Sequence, residues 1–107
     1  MTVLVQDLLS DLGRLSDLLN RVKAAFWASK VNKAKQFLDD GHHTAASEEM
    51  RSWFGGMGSL NDLVIHPVNG HAVSDKEMDA VNAELANLKS SLFIKLDRHL
   101  RDEGINR

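Results

Sequence analysis

The chain of 107 residues contains no cysteine, no tyrosine and a single proline. The absence of cysteine excludes disulfide bonds, thiolate zinc sites and cysteine nucleophiles. Long uncharged runs are missing as well, since no stretch approaches the ~18 apolar residues of a membrane-spanning helix. The first residues lack the basic start and continuous apolar core of a signal peptide. We therefore expect a cytoplasmic protein that does not bind membranes.

What the chain does contain is typical of one folded domain. Hydrophobic residues make up 43% of the sequence and charged residues 26%. A chain of this length suits a single domain, here residues 1–107, and buries enough surface to need no metal or disulfide. Composition therefore predicts a small globular domain and gives no reason to expect a cofactor.

Apolar residues recur at steps of three and four in the first part of the chain, which is helical spacing. The first set predicts a helix over residues 2–21, and it comprises Leu4, Leu8, Leu12, Leu15 and Leu19. The second set is out of phase with the first, and it comprises Trp27, Val31, Ala34 and Leu38. The phase change predicts a break within residues 20–26, although one helix of nearly forty residues remains an alternative. Within the first helix, Gly13 would permit close approach of a neighbouring helix.

Two further helices are predicted. A third helix over residues 45–54 would begin at Thr44 as its N-cap. The last helix begins with a Ser-x-x-Glu capping box at Ser74 and Glu77. Its apolar stripe comprises Met78, Val81, Leu85, Leu88, Leu92, Leu96 and Leu100. These elements predict an all-α bundle of about four helices.

Residues 63–73 have a different pattern. A β-branched run, the dipeptide Asn69-Gly70 and a second short run predict a small β-hairpin or extended pair before the last helix. Because a two-stranded hairpin is only marginally stable alone, it would have to pack on the helices.

A glycine-rich segment in the centre of the chain is the most distinctive motif. It comprises Gly55, Gly56, Met57, Gly58, Ser59, Leu60, Asn61, Asp62 and Leu63. Backbone N–H groups of such a loop can form a nest for an anion. However, no Lys-Ser or Lys-Thr follows the glycines, so a Walker loop is excluded. A tight chain reversal explains the segment more simply, with Trp53, Phe54 and Met57 packed inward.

This segment, with the Asn69-Gly70-His71 sequence that follows, resembles the signature of a family of short, uncharacterised bacterial proteins. Their signature is GGMGS, then an aromatic residue or leucine, then NDL. The resemblance implies a bacterial origin and a shared fold. It implies no catalytic role for any residue.

Charge is distributed unevenly, although the whole chain carries only −2. Residues 21–35 contain five basic residues and no acid, whereas residues 36–88 contain nine acids against Arg51 and Lys76. The acidic block would repel nucleic acid and attract a basic partner. Few aromatic residues accompany the basic block, so we do not expect nucleic-acid binding. The residues predicted to contact a partner are Asp39, Asp40, Glu48, Glu49, Asp75 and Asp79.

Residues suited to catalysis or metal binding are few. Asp62 beside the glycine loop, with His66 or His71, is the one candidate cluster for an enzyme. The same histidines would supply two ligands of a metal site, which needs three or four, and nothing in their spacing demands one.

The sequence therefore favours a non-enzymatic protein that binds another protein. The specific hypothesis is a bacterial immunity protein that neutralises a basic toxin domain. Two alternatives stay open: binding of a small ligand or anion by the Gly55–Ser59 loop, and an enzyme that uses Asp62 with His66 or His71. A homodimer through the last helix is a further alternative.

Overall fold

The computed structural model of the protein describes residues 3–55 and 59–102. Four helices make up most of it: α1 is Val3–Arg21, α2 is Ala25–Asp39, α3 is His43–Arg51 and α4 is Asp75–Asp102. Three short 3₁₀ turns lie between α3 and α4, at Ser52–Phe54, Leu60–Asp62 and Pro67–Asn69. The all-α bundle of four helices is confirmed.

The break between the first two helices is confirmed, and it falls at Lys23. This residue has a φ of 61°. The Ala24 N–H donates to the carbonyl of Leu19 at 2.8 Å, and the Lys23 N–H donates to the carbonyl of Asn20 at 3.1 Å. This pair of hydrogen bonds is a Schellman motif, in which the left-handed position is usually glycine. The chain therefore reverses within three residues, and α2 runs antiparallel to α1.

The second helix ends in the same way, this time at a glycine. Gly41 has a φ of 82°, and the N–H of His42 donates to the carbonyl of Phe37 at 2.8 Å. The His42 carbonyl then accepts the N–H of Ala46. Helix α3 consequently begins at His43, two residues before the predicted start, so the prediction of Thr44 as N-cap was wrong. It also ends earlier, at Arg51, because the chain tightens into the 3₁₀ turn.

The predicted apolar stripes face a common core. It is formed mainly by leucines of α1 and α4, with Trp27, Val31, Met50 and Trp53 from α2, α3 and the turn that follows. Ser16 on α1 donates a hydrogen bond to Asn32 on α2 at 2.8 Å. A Cβ on Gly13 would meet no atom within 4 Å, so this glycine does not serve a close helix contact.

Helix α4 runs antiparallel to α1. Asp11 of α1 lies level with Ser91 and Lys95 of α4, at 2.7 and 3.1 Å. Nearer the other end, Arg21 lies 3.5 Å from Glu84. The N-terminus of α4 therefore lies beside the α1–α2 turn, and its C-terminus lies beside α3, where the rings of His43 and His99 are 6.1 Å apart. The molecule is elongated along this axis, with a longest dimension of 43 Å.

The β-hairpin predicted over residues 63–73 is not seen; this described segment contains no strand. Its turn is present, since Asn69 ends a 3₁₀ turn and Gly70 has a φ of 83°. The flanking backbone bonds to other partners instead of pairing with itself. The amide of Asn82 on α4 accepts the N–H of Ile65 at 2.8 Å and donates to its carbonyl at 2.9 Å.

Among the described helices, none combines the length and the apolar character that crossing a bilayer requires.

Candidate functional site

Three of the acids predicted to contact a partner lie within ten residues of one another, on either side of the turn from α2 to α3. Asp39 and Asp40 end α2, and Glu48 lies on α3; all three are exposed. The Gln36 amide donates to both carboxylate oxygens of Asp40 at 3.1 Å. Among residues 3–55 and 59–102, none of the three acids forms an ion pair. We call Asp39, Asp40 and Glu48 the acidic corner.

Asp75 and Asp79 lie elsewhere, exposed in the first turns of α4. The acidic corner lies near residue 99 of α4, because His43 contacts His99. From residue 75 to residue 99 the helix rises about 36 Å at 1.5 Å per residue. A protein–protein interface of ordinary size covers roughly 800 Å² per partner, or about 32 Å across. The six acids predicted to form one contact surface therefore lie at two ends of the molecule.

Glu49 differs from its neighbour Glu48. Its side chain is 14% exposed and lies 3.6 Å from the ammonium groups of both Lys30 and Lys33. The indole Nε1–H of Trp53 donates to the Glu49 carboxylate at 2.9 Å. Burial by itself would raise the pKa of Glu49, but this hydrogen bond and the two lysine charges outweigh it and hold the pKa below its ordinary value of 4.5. Glu49 thus belongs to a cluster of side chains that joins α2 to α3.

Lys30 also lies against aromatic rings. The Lys30 ammonium is 5.4 Å from the ring centre of Phe26 and 5.9 Å from that of Trp27. Trp27 in turn meets Trp53 edge to face, at 6.3 Å between ring centres. Part of the basic block at residues 21–35 is therefore engaged by side chains of α2 and α3.

The glycine-rich motif is described in part. Gly55 is exposed and extended, whereas Gly56, Met57 and Gly58 lie outside the described residues. Trp53 is buried and Phe54 is partly buried against the core. The inward packing expected for Trp53 is confirmed, and the expectation for Met57 concerns a residue outside the described ones.

The second half of the motif is a short turn fastened to α4. Ser59 and Leu60 are buried, while Asn61 and Asp62 are exposed. The Lys89 ammonium donates to the carbonyls of Leu60 and Asn61, at 3.3 and 3.5 Å. Burial lowers the pKa of Lys89, and the carboxylate of Asp62 partly offsets this effect. Lys89 therefore ties the motif to the middle of α4.

The two histidines of the candidate catalytic cluster lie next to each other. The N–H of His66 donates to Nδ1 of His71 at 3.1 Å, and the N–H of Val68 donates to Nδ1 of His66 at 3.0 Å. In both rings Nδ1 is thus occupied as an acceptor, which leaves Nε2 for a ligand or proton. Within residues 3–55 and 59–102, no group of three His, Asp or Glu side chains is placed to hold a metal ion.

A groove between Phe54 and α4 was not anticipated from the sequence. The rings of Phe54 and Phe93 are 5.2 Å apart, and a cavity of about 370 Å³ lies on one side of them. Phe93 and the adjacent Ile94 are 48% and 61% exposed. The sequence did contain a signal for an exposed apolar surface, because Phe93 and Ile94 are apolar but fall outside the apolar stripe that predicted α4.

The comparison with protein families gives one match. The model of a family described as Domain of unknown function (DUF6966) matches residues 20–74, just over half of the chain. The match covers α2, α3 and the glycine-rich motif, and ends where α4 begins. No curated protein and no solved structure matches the chain. The chain belongs to the DUF6966 family.

Proposed function

We propose that this DUF6966 protein binds another protein and catalyses no reaction itself. Its specific role would be that of a cytoplasmic bacterial immunity protein, which neutralises a toxin domain by covering a basic site. The observation that carries the proposal is the acidic corner. Three exposed carboxylates lie within ten residues and have no basic partner among the described residues.

The contrast between Glu48 and Glu49 supports this interpretation. Two lysines lie near enough to neutralise carboxylates on α3, yet both contact Glu49 and neither contacts Glu48. The field of the acidic corner therefore extends into solvent. Such a field raises the rate at which an oppositely charged protein associates, and it acts over roughly 10 Å at ordinary ionic strength. A basic toxin surface is the kind of partner this field would attract.

The first experiment tests neutralisation. The toxin candidate is the product of the neighbouring reading frame in the native host, expressed with and without this chain. We expect coexpression to restore growth and the two proteins to purify in equal amounts. Toxicity that persists despite abundant folded chain would contradict the proposal for that candidate toxin.

The second experiment assigns the surface by association kinetics. The double variant Asp39→Lys, Asp40→Lys should lower the association rate at least tenfold at low salt, and the difference should narrow as salt is added. The control is Asp17→Lys, Glu84→Lys, which changes net charge equally but at exposed positions of α1 and α4 away from the corner and outside the six predicted contact residues. If both variants slow association equally, net charge and not the corner is responsible.

A further inference from the structure

The face of α4 turned away from the core carries an ordered stripe. The buried residues Val81, Leu85, Leu88, Leu92 and Leu96 occupy one side of this helix, so a homodimer through α4 would have to use the opposite side. That side repeats at steps of three and four, which places its residues in one line. We call it the outer stripe, and it comprises Asp79, Ala83, Ala86, Ser90, Ile94, Asp97 and Arg101, with Phe93 beside it.

The first half of the outer stripe carries small side chains, and its second half carries large ones. Ala83, Ala86 and Ser90 are exposed, and they are followed by Phe93 and Ile94, two of the large apolar side chains most exposed to solvent in the described chain. The cavity of about 370 Å³ borders this line: Ala86, Ser90, Phe93 and Ile94 form its wall on the side of the stripe, and Phe54, Asn61 and Lys89 form the rest. The face thus offers both a recess and the side chains that could fill one.

We propose that the outer stripe binds a second copy of this chain, with the two α4 helices antiparallel and crossing at Ser90. With a two-fold axis at Ser90, a residue that lies a given number of positions before Ser90 in one copy faces the residue that lies the same number of positions after Ser90 in the other copy. Ile94 then faces Ala86 of the second copy, and Ala86 faces Ile94. The large side chain of each copy enters the recess of the other, which is the self-complementary contact of a two-fold dimer.

The charged residues of the outer stripe favour the same antiparallel arrangement. In the antiparallel pair Arg101 faces Asp79 of the second copy, and this contact occurs twice. Arg101 already lies 3.1 Å from Asp97 on its own helix, so each arginine would lie between two carboxylates. A parallel two-fold pair would instead place Arg101 against Arg101 and Asp79 against Asp79, which is repulsive. The antiparallel pairing therefore satisfies shape and charge together.

The contact is narrow, since its apolar part extends over residues 83–94, about 17 Å of helix. An interface of this size belongs to the weak class, below about 1,200 Å² in total. The dimer would then form at high concentration and dissociate on dilution.

Crosslinking tests the crossing point directly, because the chain has no cysteine of its own. Helix axes about 8–10 Å apart bring facing Cα atoms to roughly 3.5–5.5 Å, and the upper part of this range suits a disulfide. The variant Ser90→Cys should form a covalent dimer under mild oxidation at least ten times faster than Ser29→Cys, an exposed serine of α2. Equal rates for the two variants would overturn the proposal.

Sedimentation equilibrium tests the chemistry of the contact. Ile94→Asp should abolish the dimer, whereas Val68→Asp, at another exposed apolar side chain, should leave the dissociation constant unchanged. Asp79→Arg and Arg101→Asp should each weaken the dimer at least fivefold, and the double variant should recover most of the loss. A wild-type chain that stays monomeric at millimolar concentration would refute the proposal, as would a double variant no better than the single ones.

Discussion

The carboxylates inside the bundle and those of the acidic corner carry the same charge in opposite surroundings. Asp11 is 4% exposed and is held by Ser91 and Lys95, and Glu49 is held by two lysines and Trp53. Asp39 and Glu48 are exposed and form no ion pair within the described chain. The first two acids join helices, and the corner acids do not. A count of charges along the sequence therefore cannot tell which acids are available to a partner.

The largest expected effect comes from Asp11. Replacing it by alanine leaves the Lys95 ammonium partly buried without its carboxylate and removes the hydrogen bond from Ser91. Removing one member of a buried pair costs roughly 3–5 kcal/mol, and since Lys95 is 31% exposed we expect about 3 kcal/mol. Urea unfolding of Asp11→Ala measures this. The exposed Asp17→Ala on the same helix should change stability by less than about 0.5 kcal/mol, and equal losses would contradict the comparison.

Glu49 should give an intermediate effect that depends on pH. Glu49→Gln keeps an acceptor for Trp53 but removes the charge, so we expect a loss of about 1 kcal/mol at neutral pH. Because the folded pKa of Glu49 is lowered, its contribution is present above the ordinary value of 4.5 and is lost as pH falls through the folded pKa. The difference in unfolding free energy between wild type and Glu49→Gln should therefore become smaller as the pH is lowered from 7 to 3, and urea unfolding measures it. The control Glu48→Gln should show no difference at any pH, and a constant gap for Glu49→Gln would contradict the assignment.

The smallest effect is expected at the acidic corner itself. Reversal of Asp39, Asp40 and Glu48 to lysine breaks no ion pair of the described chain, so the free energy of unfolding should change by less than about 0.5 kcal/mol per site. Thermal unfolding of each single variant measures this. A loss near 2 kcal/mol at any one site would mean that the corner stabilises the fold and is not a free surface.

The helices were predictable from the sequence because burying one side of a helix requires apolar residues at steps of three and four. The phase change between Leu19 and Trp27 also predicted the break between α1 and α2. Its position was not predictable. The left-handed turn is made by Lys23, whereas glycine is the residue that normally marks such a turn. At the end of α2 the left-handed residue is a glycine, Gly41.

The segment over residues 63–73 shows why local pattern was insufficient. Asn69-Gly70 predicted a turn, and a turn is there. Strand pairing was also predicted, but the backbone of Ile65 is bound by Asn82, seventeen residues later. The candidate site has the same limitation. Glu49 and Glu48 are adjacent in sequence, and the packing of α2 against α3 decides which of them meets the lysines.

The two hydrogen bonds between the Ile65 backbone and the Asn82 amide have a consequence for solubility. A hairpin on the outside of a small bundle would present unpaired N–H and C=O groups along its edges, and such edges template the addition of strands from other molecules. Here one side-chain amide satisfies both groups of the residue that enters the core. The β-branched run is thereby kept extended without becoming a strand, and Ile65 has no free backbone group to pair with a strand of another molecule.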